Sequence, residues 1–361
     1  MRTLLLSLTL LIGNVLSRLY MPNVHINYNT LQSIQTIDSH GKAQLSFKIL
    51  QIPDMHYTGT PSHLCRNPPH DPCHESNMTS YIEQMLDNVA PDFVVFTGDQ
   101  VEDIEVTHTA DEVRHAIDSY TKHVIKRKIP WAMVFGNHDE GSSMSRLEMF
   151  DYISSLPYSY TKLGPEWIGG VGNYELHINS PDFMPVFRMY FLDTGFDGVI
   201  SEAQNTYMRD LALWYRYQDL SAIMFYHIPI PEYNLYDGEV LKHGYQGEAV
   251  CNGPQSGLLD NLVKSILSLL FYLTFMIVGD VKATFVGHDH LNDYCVERHQ
   301  IQLCYGGGAG YGQAYGSPTI ARSARVIEWQ RNSSKETLTT WKVADGDYTK
   351  SAYTLFERSF N

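Results

Sequence analysis

The stretch WAMVFGNHDE, Trp131–Glu140, poses the problem from which the fold can be read. Its apolar run reads as a strand buried on both faces, yet it ends abruptly in Asn137, His138 and Asp139. A single polar end of this kind is an ordinary turn. Similar apolar, β-rich runs recur at Phe47–Ile52 (FKILQI), Phe93–Gly98 (FVVFTG), Phe187–Asp193 (FRMYFLD), Ala222–His227 (AIMFYH) and Ala283–His288 (ATFVGH). Polar-amphipathic stretches of helical length lie between them, among them Thr79–Asn88 and His108–Lys128. That alternation predicts an α/β layered fold, with helices packed against central sheets. The segment after Gln300, rich in Gly and strand-like pieces, is expected to complete a second sheet.

Other runs end as Trp131–Gly136 does. PDMH supplies Asp54 and His56, TGDQ supplies Asp99, YHIP supplies His227, and VGHDH supplies His288 and His290. In α/β sheets the loops at the carboxyl ends of strands open onto one crevice, so residues far apart in sequence can meet there. Imidazole, carboxylate and amide without thiolate suit Fe, Zn or Mn, and not a structural zinc cage. The donors are too many for one ion and appropriate for two, with Asp99 able to bridge them. Two ions about 3.5–4 Å apart form the clamp used in phosphoester hydrolysis.

Bulk properties narrow the chemistry. The 361 residues are 43% hydrophobic, enough for a substantial core, and carry a formal net charge of −14. So acidic a chain is not expected to offer a nucleic-acid-binding surface, and phosphate chemistry on it needs concentrated positive charge such as metal ions. Residues 1–17 read as a signal peptide, with Arg2 before an apolar core and small residues Val15 and Ser17 before the cut. Sequons at Asn77 and Asn332 fit a secreted, endomembrane or vacuolar glycoprotein. Of five cysteines, Cys65 and Cys73 flank a Pro-rich loop and Cys295 and Cys304 flank a hairpin, so two disulfides are expected with Cys251 left over. Ile266–Val278 is apolar almost throughout; it reads as a buried helix, and membrane anchoring is not expected. YGGGAGYG, Tyr305–Gly312, lacks a following helix and reads as a tight turn rather than a nucleotide loop.

The ordered set Asp-x-His, Gly-Asp, Gly-Asn-His-Asp, lone His, Gly-His-x-His resembles the calcineurin-like metallophosphoesterase superfamily. FKILQIPDMHY, PDFVVFTGD, IPWAMVFGNHD, FYHIPIPEY, GDVKATFVGHDHLNDYC and LCYGGGAGYG are similar to the small purple-acid-phosphatase-related group of plants, fungi and other eukaryotes, over about Ala43–Lys342. The resemblance implies a four-layer αββα sandwich, with one catalytic domain over 43–345 and a tail at 346–361. It implies that Asp54, His56, Asp99 and His290 hold one metal, and Asp99, Asn137, His227 and His288 the other. His138 would face the substrate as general acid, with Asp139 orienting its ring; Asp289 and Asn292 are further supporting candidates. The implied reaction is hydrolysis of a phosphate monoester, on a small molecule or a phosphoprotein, by attack of metal-bound hydroxide. A phosphodiesterase or nucleotide hydrolase on the same site is the alternative.

Three departures from that group matter. Purple acid phosphatases carry a Tyr, the source of their colour, three residues after the Gly-Asp aspartate; here that position is Glu102, and their first motif lacks His56. A colourless protein of undetermined metal identity is therefore expected. GDQVED also lacks the Arg of the Ser/Thr protein phosphatase motif. Ser265–Val278 looks like an insertion ahead of the strand bearing His288 and His290; were it to displace that strand, a non-catalytic metal- or phosphate-binding protein would remain.

Overall fold

The computed structural model describes residues 30–37, 41–106, 108–215, 218–263 and 279–360. The expected leader at 1–17 lies outside those residues, as do positions 265–278 with the buried helix expected within them. From Leu31 onward the chain forms one unit.

Two seven-stranded sheets make the centre. In the first, β3 (Ala43–Ile52), β4 (Phe93–Thr97) and β5 (Trp131–Val134) run parallel. Antiparallel β12 (Ser323–Asn332), β13 (Lys335–Ala344) and β14 (Tyr353–Ser359) extend it from the other edge of β3, and β2 (Ile34–Ile37) pairs with the start of β3. In the second, the order is β1 (Leu31–Gln32), β6 (Tyr174–Asn179), β7 (Pro185–Phe191), β8 (Ala222–Phe225), β9 (Val281–Val286), β11 (Ile301–Tyr305) and β10 (Cys295–Arg298). The segment after Gln300 thus does not complete one sheet. It divides, with β11 joining β9 and β12–β14 joining β3. The stretch 346–361, expected as a tail, contains β14, hydrogen-bonded to β13.

Alternation along the strands builds the layers. In β4, Phe93 and Val95 face Phe187, Met189, Phe225 and Phe285 of the opposite sheet. Val94 and Phe96 face outward onto α1 (Glu75–Val89) and α2 (Ala110–Lys126), against Met78, Ile82, Val113 and Tyr120. On the far side Tyr190, Met224 and Leu303 pack on α4 (Glu202–Tyr215) and α5 (Leu258–Val263). Three apolar seams therefore separate four layers, helix–sheet–sheet–helix, and each fully buried Val, Phe or Met contributes about 1.5–3 kcal/mol.

The helices begin where their caps dictate. Thr109 and Glu112 form a reciprocal capping box that starts α2 at Ala110, inside the expected His108–Lys128. Asn77 Oδ1 accepts the His74 N–H at the head of α1, which starts four residues before the expected Thr79. A second box, Ser145 with Glu148, starts α3 (Arg146–Ser155).

Candidate metal centre

Every expected ligand sits just past a strand of the two sheets. Asp54 and His56 follow β3, Asp99 follows β4, Asn137 follows β5, His227 follows β8, and His288 and His290 follow β9. The chain turns sharply to present them: Asp54, His56, Asp99 and His288 have φ of 51°, 48°, 51° and 76°. Non-glycine residues avoid that left-handed region at a cost of order 1–3 kcal/mol each, and such strain clusters at functional sites. Glycine is required where backbones meet: a Cβ at Gly98 would lie 2.1 Å from His227 Nδ1, and one at Gly136 2.1 Å from Asp99 Oδ1.

The hydrogen-bond partners fix what the ring nitrogens offer. His56 Nδ1 faces Glu102 Oε2 at 2.8 Å and His290 Nδ1 faces the Tyr315 carbonyl at 2.9 Å, so each Nδ1 carries the proton. Both Nε2 lone pairs then confront each other at 3.1 Å, with Asp99 Oδ2 3.5 Å from one and Asp54 Oδ1 3.6 Å from the other. His227 Nδ1 donates to the Thr97 carbonyl at 2.9 Å, leaving Nε2 to face Asp99 Oδ2 at 3.1 Å and Asn137 Oδ1 at 3.2 Å. The ligand atoms of Asp54, His56 and His290 lie within 4.8 Å of one another, and so do those of Asp99, His227 and His288. Asp54 Oδ2 is buried without any hydrogen-bond partner. The facing Nε2 atoms of His56 and His290, beside Asp99 and Asp54 in a dry interior, repel unless a cation lies among them; the His227 ring, though burial lowers its pKa, is held up to about 9 by Asp99, so without a cation it donates to that carboxylate instead. The donor set therefore fits two cations sharing Asp99. The imidazole of His288 is nearly buried, and its pKa is pushed down to about 3 by burial and by the charge of His227, so it presents a neutral ring to this cluster.

Asp139 does not orient His138. Its carboxylate is buried and accepts four backbone N–H bonds, from Gln100 (2.8 Å) and Val101 (2.9 Å) on Oδ1 and from Asp99 (2.9 Å) and Gly136 (2.7 Å) on Oδ2. It clamps the loop after β4 to the loop after β5. The carboxylate on His138 Nδ1 is Glu102, at 3.0 Å, and the same group holds His56 and the backbone N–H groups of Ile104 and Glu105. Burial alone would lower the pKa of His138, but the Glu102 hydrogen bond and the charges of Asp99 and Glu102 outweigh it and hold the imidazolium up to about 9. Glu102, a carboxylate three positions past Asp99, is the signal in the sequence that points to this role.

Other groups hold the ligands from behind. Tyr315 stacks on the His290 ring at 3.8 Å, and its hydroxyl donates to Glu248 Oε1. Asp289 accepts from Tyr305 Oη and the Cys251 N–H, and Asn292 Oδ1 accepts from the N–H groups of Gly247 and Glu248, so both anchor the loop at 247–251. The glycine-rich turn packs directly on the centre: a Cβ at Gly310 would lie 2.3 Å from the Asp54 carbonyl. Cys65–Cys73 and Cys295–Cys304 are disulfide-bonded, and Cys251 is free and exposed. Of the sequon residues, Asn77 Oδ1 accepts from the His74 N–H at the start of α1, and Asn332 Oδ1 accepts from Ser334 and Lys335 in the β12–β13 turn.

Comparison with known proteins agrees with this geometry. The chain is 35% identical to probable inactive purple acid phosphatase 14 of Arabidopsis thaliana, over 83% of this chain and 80% of that one. It is 32% identical to phosphatase DCR2 of Saccharomyces cerevisiae, over 83% of this chain and 54% of that one. A dimetal phosphatase from Danio rerio shares the fold, with a TM-score of 0.50 at 13% identity, covering 87% of this chain and 98% of that one. Residues 47–292 match the calcineurin-like phosphoesterase family. With a family match across most of the chain, strand-end ligands and paired donor nests, this protein belongs to the calcineurin-like phosphoesterase family.

Proposed function

We propose that this protein is a binuclear metal-dependent phosphoesterase that hydrolyses phosphate monoesters. The observation that carries the reading is the pair of donor nests sharing Asp99, with His138 beside them on Glu102. Asp54, His56, Asp99 and His290 would hold one cation, and Asp99, Asn137, His227 and His288 the other. Fe, Zn or Mn so held would neutralise phosphoryl charge and lower the pKa of a water molecule. The rest is the work of side chains. Glu102 keeps the His138 proton on Nδ1 and the ring charged, leaving Nε2–H to donate to the departing oxygen. The backbone N–H of His138 donates to Asp99 Oδ1 at 2.7 Å, which fixes the loop bearing the acid against the shared ligand.

Some plant relatives carry "probable inactive" in their names, while the yeast relative is named a phosphatase. The phosphatase reading is favoured here because the whole donor set is present and converges. The stretch at 265–278 precedes β9, yet β9 pairs with β8, across one register shift between Ala222 and Ile223, and with β11, so His288 and His290 reach the crevice. A disabled binding protein is thereby disfavoured. With Glu102 in place of the colour-giving Tyr, the loaded protein should be colourless. The two disulfides support passage through the secretory pathway, and among the described residues no helix is long and apolar enough to cross a membrane. The test is a metal-reconstituted assay comparing an aryl phosphomonoester with an aryl phosphodiester, repeated on Asp99→Asn and His138→Ala. Asp99→Asn should lose metal and turnover together, whereas His138→Ala should keep metal and slow by roughly 10²–10⁴-fold. A preference for the diester, or full activity in either variant, contradicts the reading.

A further inference from the structure

Arg146 occupies the first position of α3, the end of a helix where the macrodipole disfavours a cation. It is nevertheless buried there, its side chain 7% exposed, with every arm of the guanidinium engaged. Nη2 donates to the Gly136 carbonyl at 2.8 Å, Nη1 to Asp193 Oδ1 at 2.5 Å, and Nε to Glu140 Oε2 at 3.0 Å. The fork also lies over the Phe135 ring, 5.6 Å from its centre.

These contacts join the two sheets. Gly136 follows β5 of the first sheet and immediately precedes Asn137. Asp193 follows β7 of the second sheet, and its neighbour Thr194 accepts the N–H of Ile228, the residue after His227, at 3.2 Å. Asp193 is itself held in place, accepting from the N–H groups of Val171 and Gly195 while its own N–H donates to Asn173. One planar group therefore spans from the backbone of Asn137 to the loop of His227. No such tie runs through it to Asp54, His56 or His290.

We infer that Arg146, with Asp193, is a positioning residue for the second cation: it sets the separation of Asn137 and His227 across the two sheets, and touches none of Asp54, His56 and His290, the ligands the first cation does not share. The inference rests on the two-cation reading above. Lysine replaces it only in part, because an ammonium on a flexible stem lacks the planar fork that holds two groups on different sheets in one fixed geometry. Side chains that orient ligands typically alter metal affinity by 10–100-fold.

Calorimetric titration of the metal-free, full-length protein with Zn²⁺ tests this. Arg146→Met, which retains the packing on Phe135, and Asp193→Asn should each weaken one of two equivalents by 10–100-fold and leave the other within about twofold. Arg146→Lys should recover only part of the loss, and Glu140→Gln, whose carboxylate touches neither strand end, should change neither equivalent. In an Asn137→Ala background, Arg146→Met should add little, a non-additivity that general destabilisation does not produce. Equal weakening of both equivalents, additivity with Asn137→Ala, or unaltered affinities in folded variants would overturn the role; should the Met variant not fold, Asp193→Asn decides. A wild-type protein that binds fewer than two equivalents would instead remove the two-cation reading on which it rests.

Discussion

Asp139→Asn separates two roles that the sequence alone leaves superimposed. In the structure the carboxylate receives two N–H donors on each oxygen, at 2.7–2.9 Å, in a site with no solvent exposure. Asparagine has nearly the same shape but can accept on one oxygen only. Its amide nitrogen must then face two backbone N–H groups, either Asp99 and Gly136 or Gln100 and Val101. Each buried donor left unsatisfied costs about 1–3 kcal/mol, so the substitution should destabilise by about 2–6 kcal/mol. Against a typical total of about 5–15 kcal/mol, that is a large share. Urea denaturation of the metal-free protein, followed by circular dichroism, measures it as a lower midpoint at unchanged m-value. If Asp139 instead served chiefly to orient His138, stability would change by less than about 1 kcal/mol while turnover fell as in His138→Ala. That result would refute the clamp and return the ring-orienting role to Asp139.

Other outcomes follow from the same structure. Glu102→Gln removes the charge that holds His138 up to about 9; because a general acid must be protonated, the alkaline limb of the kcat profile should move to lower pH, and an unmoved limb would dismiss the Glu102–His138 pair. Gly98→Ala at φ 92° would force a methyl into His227 Nδ1, so it should bind metal less tightly and unfold at lower temperature; wild-type metal uptake would show that the close approach is not required. Burial lowers the pKa of His123 in α2, so the stability it contributes is present above the ordinary histidine range and is lost as pH falls through it. His123→Gln should therefore flatten the acid side of the metal-free protein's stability curve between about pH 7 and 5, around the ordinary histidine pKa, and an equally steep curve would exclude His123 as its source.

The strand ends were legible because two signals coincide at them: an apolar run that buries both faces and a ligand-type residue immediately after it. Layering followed from the same runs, since strands such as β4 send alternate residues to different seams. What stayed hidden depends on contacts between distant segments. Asp139 adjoins His138 in sequence, but neighbours on a tight loop point apart, and the true partner, Glu102, comes from the loop after another strand. Asp193 ends an apolar run as the candidate ligands do, yet pairs with an arginine, and nothing local distinguishes the two uses. The sheet membership of β11 and of β12–β14 was equally invisible, because pairing partners are set by register across the fold and not by strand composition. The early start of α1 goes with Asn77 reaching back to the His74 N–H, with no Ser, Thr, Asp or Asn at the cap position to announce it.

The most direct measurement is the anomalous-difference density of crystals grown with saturating Mn²⁺ or Zn²⁺. Two peaks should appear about 3.5–4 Å apart, the spacing of two-metal sites, both touching Asp99. One should also touch Asp54, His56 and His290, and the other Asn137, His227 and His288. A crevice without a peak at saturating metal, or a single peak that leaves either histidine set unligated, would contradict the two-cation reading.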